Sequence, residues 1–298
     1  MIDFIKIQYT DKSKLEPFVM SEENFDEVKG TFNFQTGEIG YPYKAKLDET
    51  MDIKICKKSG FVQNSIHKLY NQVNEKEQHN YNDFKYSNIV EVLDYMSSKL
   101  IDSTKIKITN MEFGLNIRTD VPAEELVENN VFTFKDKNYN SNREFGGKGK
   151  LKQFTYTDYL IKIYDKAKQY KRPGNILRFE IKFIRARSIN KFGIYCLDDL
   201  RDKELLRDVF NHYLEKFDEL LIIDSQKNIS FDSEVHKTKW LKYSNPDYWE
   251  KEISFYSRQT KMNHKNEFLA LIEHYGLNST QEKVRNSLIE KFNFLISN

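Results

Sequence analysis

Three stretches of this chain alternate so that one face of each carries groups able to do chemistry. In 110–118, Met111, Phe113, Leu115 and Ile117 point one way, while Asn110, Glu112, Gly114, Asn116 and Arg118 point the other. Successive side chains of a strand take opposite faces. In 177–183 the apolar set is Leu177, Phe179, Ile181 and Phe183, and the polar set is Arg178, Glu180 and Lys182. In 159–166, Tyr159, Ile161 and Ile163 face a core, leaving Lys162, Tyr164 and Lys166 on the other side. Paired in one sheet, these strands gather two carboxylates, a tyrosine and several cations on one face. Carboxylate oxygens suit Mg2+ or Mn2+, which polarise a phosphodiester. Lysine and arginine would hold the flanking phosphates. The same pattern also describes an ordinary half-exposed antiparallel sheet whose outer face is merely polar.

The elements that must position these groups read as an α+β body, an antiparallel sheet with packed helices, followed by a helical C-terminal part. Strands are expected at Phe4–Tyr9, Thr31–Phe34, Ile53–Cys56, Lys105–Ile117, Thr155–Asp165 and Asn175–Ile184. A helix is expected after Ser87, with Ile89, Val90, Val92, Leu93 and Met96 on one face, and a short one near Pro122. From Leu197 the period changes to about 3.6, and Leu200, Leu205, Leu206, Val209, Phe210, Leu214, Phe217, Leu220 and Leu221 mark one long helix. Phe268 to Ile272 belong to a helix that Gly276 would end, and Ser279-Thr280-Gln281-Glu282 reads as a capping box opening the last one. The expected division is 1–200 for the chemistry and 201–298 for a helical region.

Composition limits the function classes. With 298 residues, 39% hydrophobic and 31% charged, the chain is long enough for a packed core and is of folded, globular type. No apolar run approaches the roughly 20 residues of a membrane span. The first seven residues alternate like a strand rather than following the basic-then-apolar order of a signal peptide. Cys56 and Cys196 have no metal-ligand spacing and read as free thiols of a reducing cytoplasm. The expected location is therefore cytoplasmic, away from membranes.

The net charge of +2 hides an excess. Between Lys148 and Lys191 thirteen Lys or Arg face three acids (Asp158, Asp165, Glu180), a local +10, which leaves about −8 elsewhere. Such a stretch suggests a polyanion, with a solvated basic face as the plainer reading. Other motifs fall short. No His-x-His pair occurs among the six histidines. Gly146-Gly147-Lys148-Gly149-Lys150 does not fit the P-loop pattern and reads as a turn. No serine or cysteine nucleophile signature is present.

Four stretches, in order, resemble the phage and plasmid rolling-circle replication initiators of the gene II/X type. They are Ser65-Ile66-His67-Lys68-Leu69-Tyr70 with His79-Asn80-Tyr81-Asn82-Asp83-Phe84, then Asn110-Met111-Glu112-Phe113-Gly114-Leu115-Asn116-Ile117. Ile163-Tyr164-Asp165-Lys166 and Ile176-Leu177-Arg178-Phe179-Glu180-Ile181 follow. The resemblance covers residues 50–200. It implies a DNA strand nickase in which Tyr164 attacks a phosphodiester, leaving a 5′-phosphotyrosyl link and a free 3′-OH. It implies Glu112 and Glu180 as ligands of Mg2+ or Mn2+, and Lys166 as a partner of the phenolate. His79, Asn80, Lys162, Arg178 and Lys182 are then DNA contacts. Origin DNA, single- or double-stranded, a host helicase and a second copy of the chain are the implied partners. Gln169 stands where many relatives have an acid, and Glu112 where they often have Asp. Tyr156, Tyr159 and Tyr170 are rival nucleophiles.

Two other readings use the same residues. Asp165 with Glu180-Ile181-Lys182 has the layout of the restriction-type nuclease core, in which water is the nucleophile. A non-enzymatic DNA- or RNA-binding protein would use the basic stretch alone.

Overall fold

A computed structural model describes all residues except 136, 140, 145–148 and 226–228. In chain order the strands are β1 (Ile2–Tyr9), β2 (Lys29–Phe32), β3 (Ile39–Leu47), β4 (Met51–Ile55), β5 (Gly60–Ser65) and β6 (Lys107–Arg118). They continue with β7 (Val131–Phe134), β8 (Ser141–Glu144), β9 (Lys150–Thr155), β10 (Tyr159–Asp165), β11 (Ile176–Phe183) and β12 (Leu220–Ile222). The helices are α1 (Leu15–Met20), α2 (Ile66–Glu75), α3 (Tyr86–Lys99), α4 (Ala123–Glu125), α5 (Lys166–Gln169) and α6 (Ala186–Asn190). After them come α7 (Lys203–Asp218), α8 (Glu234–Tyr243), α9 (Pro246–Glu250), α10 (Arg258–His274) and α11 (Ser279–Ser297).

Among the described residues, ten strands form one antiparallel sheet in the order β2-β3-β4-β5-β1-β6-β11-β10-β9-β8, and β12 pairs with β7 in a second. The expected α+β body is therefore present. The alternation of β6, β10 and β11 sends Phe113, Leu115, Ile161, Ile163, Phe179 and Ile181 to one face, where all are buried. That face is covered by α7 and α11. Phe179 meets the rings of Tyr213 and Phe217, and Phe113 meets Phe292. Each such buried Phe contributes roughly 1.5–3 kcal/mol. Tyr213 is also held by a 3.0 Å hydrogen bond from its hydroxyl to the Phe179 carbonyl.

The helices expected to make one C-terminal region divide between two cores. The buried residues of α7 and α11 join the core of the large sheet, whereas Trp240, Tyr243, Tyr248, Trp249, Phe268 and Ile272 build a second, aromatic core. Both cysteines are free thiols. Among the described residues, no helix is long and apolar enough to cross a membrane.

Several local expectations are corrected. Leu220 and Leu221 do not continue the long helix but pair with Phe134 and Thr133 as β12, so tertiary pairing overrides the helical period. The stretch expected as one strand over 155–165 is a hairpin. Tyr156 donates its amide to the Tyr159 carbonyl, separating β9 from β10. Helix α3 starts one residue before Ser87, with the Asn88 side chain accepting the Lys85 amide. The capping box at Ser279 does not form. Asn278 is the N-cap residue, and the amides of Ser279 and Thr280 donate to Asp224 at 3.0 and 3.2 Å. A carboxylate from a distant segment thus satisfies the helix's orphan donors. Strands β3 and β5 and helix α2 had no counterpart in the sequence pattern. The glycine-rich turn lies largely outside the described residues.

Candidate active site

The register of the sheet stacks the polar residues of β10, β11 and β6 in rows. Tyr164 lies opposite Arg178, which lies opposite Asn116. Lys162, Glu180 and Gly114 form the next row, and Leu160, Lys182 and Glu112 the one after. Gly114 is a spatial requirement. A Cβ there would come within 2.6 Å of the Glu180 Cβ and 3.0 Å of the Arg178 guanidinium. The absent side chain lets Arg178 cross β6 toward β1.

What Arg178 reaches is Asp3, a carboxylate that the alternation pattern hides. Asp3 shares odd parity with the core residues Ile5, Ile7 and Tyr9. A β-bulge between Ile2 and Ile5 breaks that parity. Asp3 thereby joins Glu112 and Glu180, and one oxygen from each carboxylate lies within 4.8 Å of the others. The sequence signal is limited to an acid placed in step with the apolar residues Ile5, Ile7 and Tyr9 of a strand whose other polar residues, Lys6 and Gln8, keep the opposite parity.

Cations hold this cluster. Arg178 donates to Glu180 Oε2 at 2.6 Å, to Asp3 Oδ2 at 3.0 Å and to Asn116 Oδ1 at 2.9 Å. Lys162 Nζ lies 2.7 Å from Glu180 Oε1 and 3.6 Å from Glu112 Oε1, and Lys182 Nζ lies 2.8 Å from Glu112 Oε1. Burial works to raise the Glu180 carboxyl, but Lys162 and Arg178 outweigh it and hold it well below the usual range. Glu112 is raised, by burial and then by Glu180 beside it.

Tyr164 donates its hydroxyl to Glu180 Oε2 at 3.1 Å, and Lys166 Nζ lies 3.5 Å from that hydroxyl. Burial, and next the Glu180 charge, push the phenol well above 10. Lys166, at the start of α5, is almost fully enclosed, and burial together with Arg178 lowers its ammonium to about 7. Asn80 organises this corner. Its side-chain oxygen accepts from Lys166 at 2.7 Å and from Tyr170 at 2.6 Å, and its amide donates to Asp3. These groups line an open cleft of about 240 Å³ together with Lys68, Ser65 and Gln169.

The structure therefore brings together Glu112, Glu180, Tyr164, Lys166, Lys162 and Lys182 of the alternating stretches, and adds Asn80 from outside them. Arg178 lies among them but is buried and spends its donors on Asp3, Glu180 and Asn116, so here it positions carboxylates rather than facing solvent. His79 is turned away. It bonds Glu75 at 2.9 Å and Asn71 at 3.1 Å and stacks on Tyr81. Of the rival tyrosines, Tyr156 and Tyr159 stack on each other outside the cleft, while Tyr170 lines it. Asp165 caps α5 by accepting the Lys168 amide at 2.9 Å and is not part of the carboxylate cluster. The restriction-type layout, which needs Asp165 beside Glu180, is not formed.

Nor does the basic stretch form one solvated face. Lys152 is buried and donates to the carbonyls of Glu128 and Val131. Lys150 pairs with Glu128, Lys168 with Glu124, and Arg187 with Asp158. Lys148 lies outside the described residues.

The donor set fits an oxygen-seeking divalent ion: three carboxylates, no sulfur and no imidazole. Glu112 and Glu180, which Lys162 bridges in this structure, are with Asp3 the residues that would hold such an ion. No protein-family model and no curated protein matches the chain. Among solved structures the chain is similar to a rolling-circle replication initiator protein from Geobacillus stearothermophilus. The two share 12% identity and a TM-score of 0.41, over 78% of this chain and 89% of that one. A likeness this distant carries no argument by itself.

Proposed function

We propose that this protein nicks and rejoins a DNA strand through a phosphotyrosine intermediate formed by Tyr164, as a replication initiator of the rolling-circle kind. The observation that carries the reading is the Tyr164 hydroxyl. It lines an open cleft between Lys166 and a cluster of three carboxylates, of which Glu180 is paired with Lys162 and Glu112 with Lys182. Asp3, Glu112 and Glu180 would hold Mg2+ or Mn2+. When bound, the ion supplies charge stabilisation to the phosphodiester. The Tyr164 oxygen forms a bond to phosphorus as its proton passes to the neutral Lys166 amine. The P–O3′ bond breaks, and the 3′ oxygen takes a proton from a water molecule, whose hydroxide is neutralised by the proton released from the Lys166 ammonium. Phenolate is a better leaving group than an alkoxide, so the free 3′-OH can reverse the step. Lys162, Lys182 and Lys68 hold the flanking phosphates.

The test is incubation with single-stranded origin DNA and Mn2+, followed by a denaturing gel. A DNA-linked protein band that disappears in excess EDTA supports the reading, and free ends without such a band point to water as nucleophile. The pH profile tests Lys166. Only its neutral form accepts a proton, so the adduct rate is expected to rise with pH through about 7. Lys166→Met is expected to lower that rate about 100-fold or more and to remove the rise. An unchanged profile in Lys166→Met would remove Lys166 from proton transfer.

A further inference from the structure

The second core carries a cluster of another kind. Asp232, His236 and His274 each offer one donor atom, and the three atoms lie within 4.8 Å of one another. Three separate features converge to place them. Ser233, the N-cap of α8, accepts the His236 amide at 3.2 Å and so sets His236 one turn beyond Asp232. His274 is the last residue of α10, where Tyr275 and then Gly276 at φ +62° turn the chain. Asp232 Oδ2 lies 2.6 Å from His274 Nε2.

The Asp232–His274 contact alone would be an ordinary surface pair worth little. The third member and its support distinguish the cluster. The Tyr275 hydroxyl oxygen accepts the Asp232 amide at 3.1 Å and lies 2.8 Å from His236 Nδ1. With Nδ1–H donating to that oxygen, His236 Nε2 keeps its lone pair. Fixing one ring nitrogen so that the other can coordinate is the usual support of a ligating histidine. Asp232 and His274 are exposed and His236 half-buried, so an ion reaches them from solvent.

We propose that Asp232, His236 and His274 bind a zinc-class transition-metal ion that clamps the start of α8 to the end of α10, with water in the remaining position. Two imidazoles and a carboxylate suit Zn2+ and its surrogate Co2+, while Mg2+ prefers oxygen donors. The ion takes the place of the direct contact between His274 and Asp232. The bound ion pins the segment 229–233, whose Ile229 and Phe231 pack on the second core. This site is independent of the nicking reading, and its chemistry separates it from the all-carboxylate cluster of the cleft.

The probe is Co2+ added to the chelator-stripped full chain, read by its visible d–d absorption and then displaced with Zn2+. One equivalent is expected to give bands of a four-coordinate nitrogen–oxygen site, displaced by Zn2+ and resistant to excess Mg2+. His236→Ala or His274→Ala is expected to weaken Co2+ binding well over 10-fold, and Tyr275→Phe about 10-fold. Glu112→Gln leaves the bands unchanged. Far-UV circular dichroism reports whether the histidine variants fold. If they do not, Asp232→Asn, at an exposed residue, makes the same discrimination. No bands at all, or bands that survive the folded His236→Ala/His274→Ala double variant, would overturn the proposal. Bands lost in Glu112→Gln would equally overturn it, by placing the ion in the cleft.

Discussion

Tyr164→Phe is expected to abolish the covalent protein–DNA adduct while leaving DNA affinity within about twofold of the wild type. The substitution removes one oxygen. The ring stays in its row opposite Arg178, and Glu180 keeps its contacts with Lys162 and Arg178. The lost bond to the Glu180 carboxylate costs about 1.5–3 kcal/mol of stability, and the fold persists on its remaining contacts. Phosphate contacts also persist, because Lys162 and Lys182 carry them in this reading. Adduct yield on a denaturing gel and affinity from fluorescence anisotropy check the two halves. An undiminished adduct would move the chemistry to Tyr170, the other tyrosine lining the cleft.

Arg178→Ala is expected to destabilise the protein by about 3–5 kcal/mol, which urea unfolding would measure. The guanidinium is buried and serves two carboxylates and an amide. Without it Asp3 loses its salt-bridge partner, and Glu180 is left with Lys162 and the Tyr164 hydroxyl. Arg178→Lys is not conservative here, since a single ammonium cannot fork across Asp3, Glu180 and Asn116. The pH dependence has a definite sign. Asp3 and Glu180 are held below their ordinary values in the folded protein, against the pull of burial. Their contribution is therefore full above about pH 4 and is lost as pH falls through the folded values. In Arg178→Ala these carboxyls rise, so the variant loses less stability than the wild type on acidification. A loss under 1 kcal/mol in Arg178→Ala would show that the cluster does not depend on this residue.

The alternation of β6, β10 and β11 made most of the cleft readable from sequence. The period of two places every side chain of a regular strand, and the antiparallel register then brings the polar residues into rows. What alternation cannot show is a break in the alternation itself. The bulge in β1 turns Asp3 onto the polar face, and no residue type near Ile2 announces it. The importance of Gly114 was equally silent, because it follows from what its missing Cβ leaves free on two neighbouring strands. Charge counting could not show which cations reach solvent. Lys152, Lys166 and Arg178 lie in the basic stretch but are buried, and a polar position in the pattern does not report whether neighbouring side chains enclose the cation. The Asp232–His236–His274 cluster joins positions 38 and 42 residues apart in sequence, so no spacing motif pointed to it.

The most direct test of the central claim is to locate the covalent bond. Wild-type protein is reacted with single-stranded origin DNA and Mn2+, the adduct is digested with nuclease and protease, and the nucleotide-bearing peptide is sequenced by mass spectrometry. The account predicts one modified peptide, with the phosphodiester remnant on the Tyr164 oxygen and its 5′ nucleotide attached. A remnant on Tyr170, or cleaved DNA with no modified tyrosine in any peptide, would contradict it.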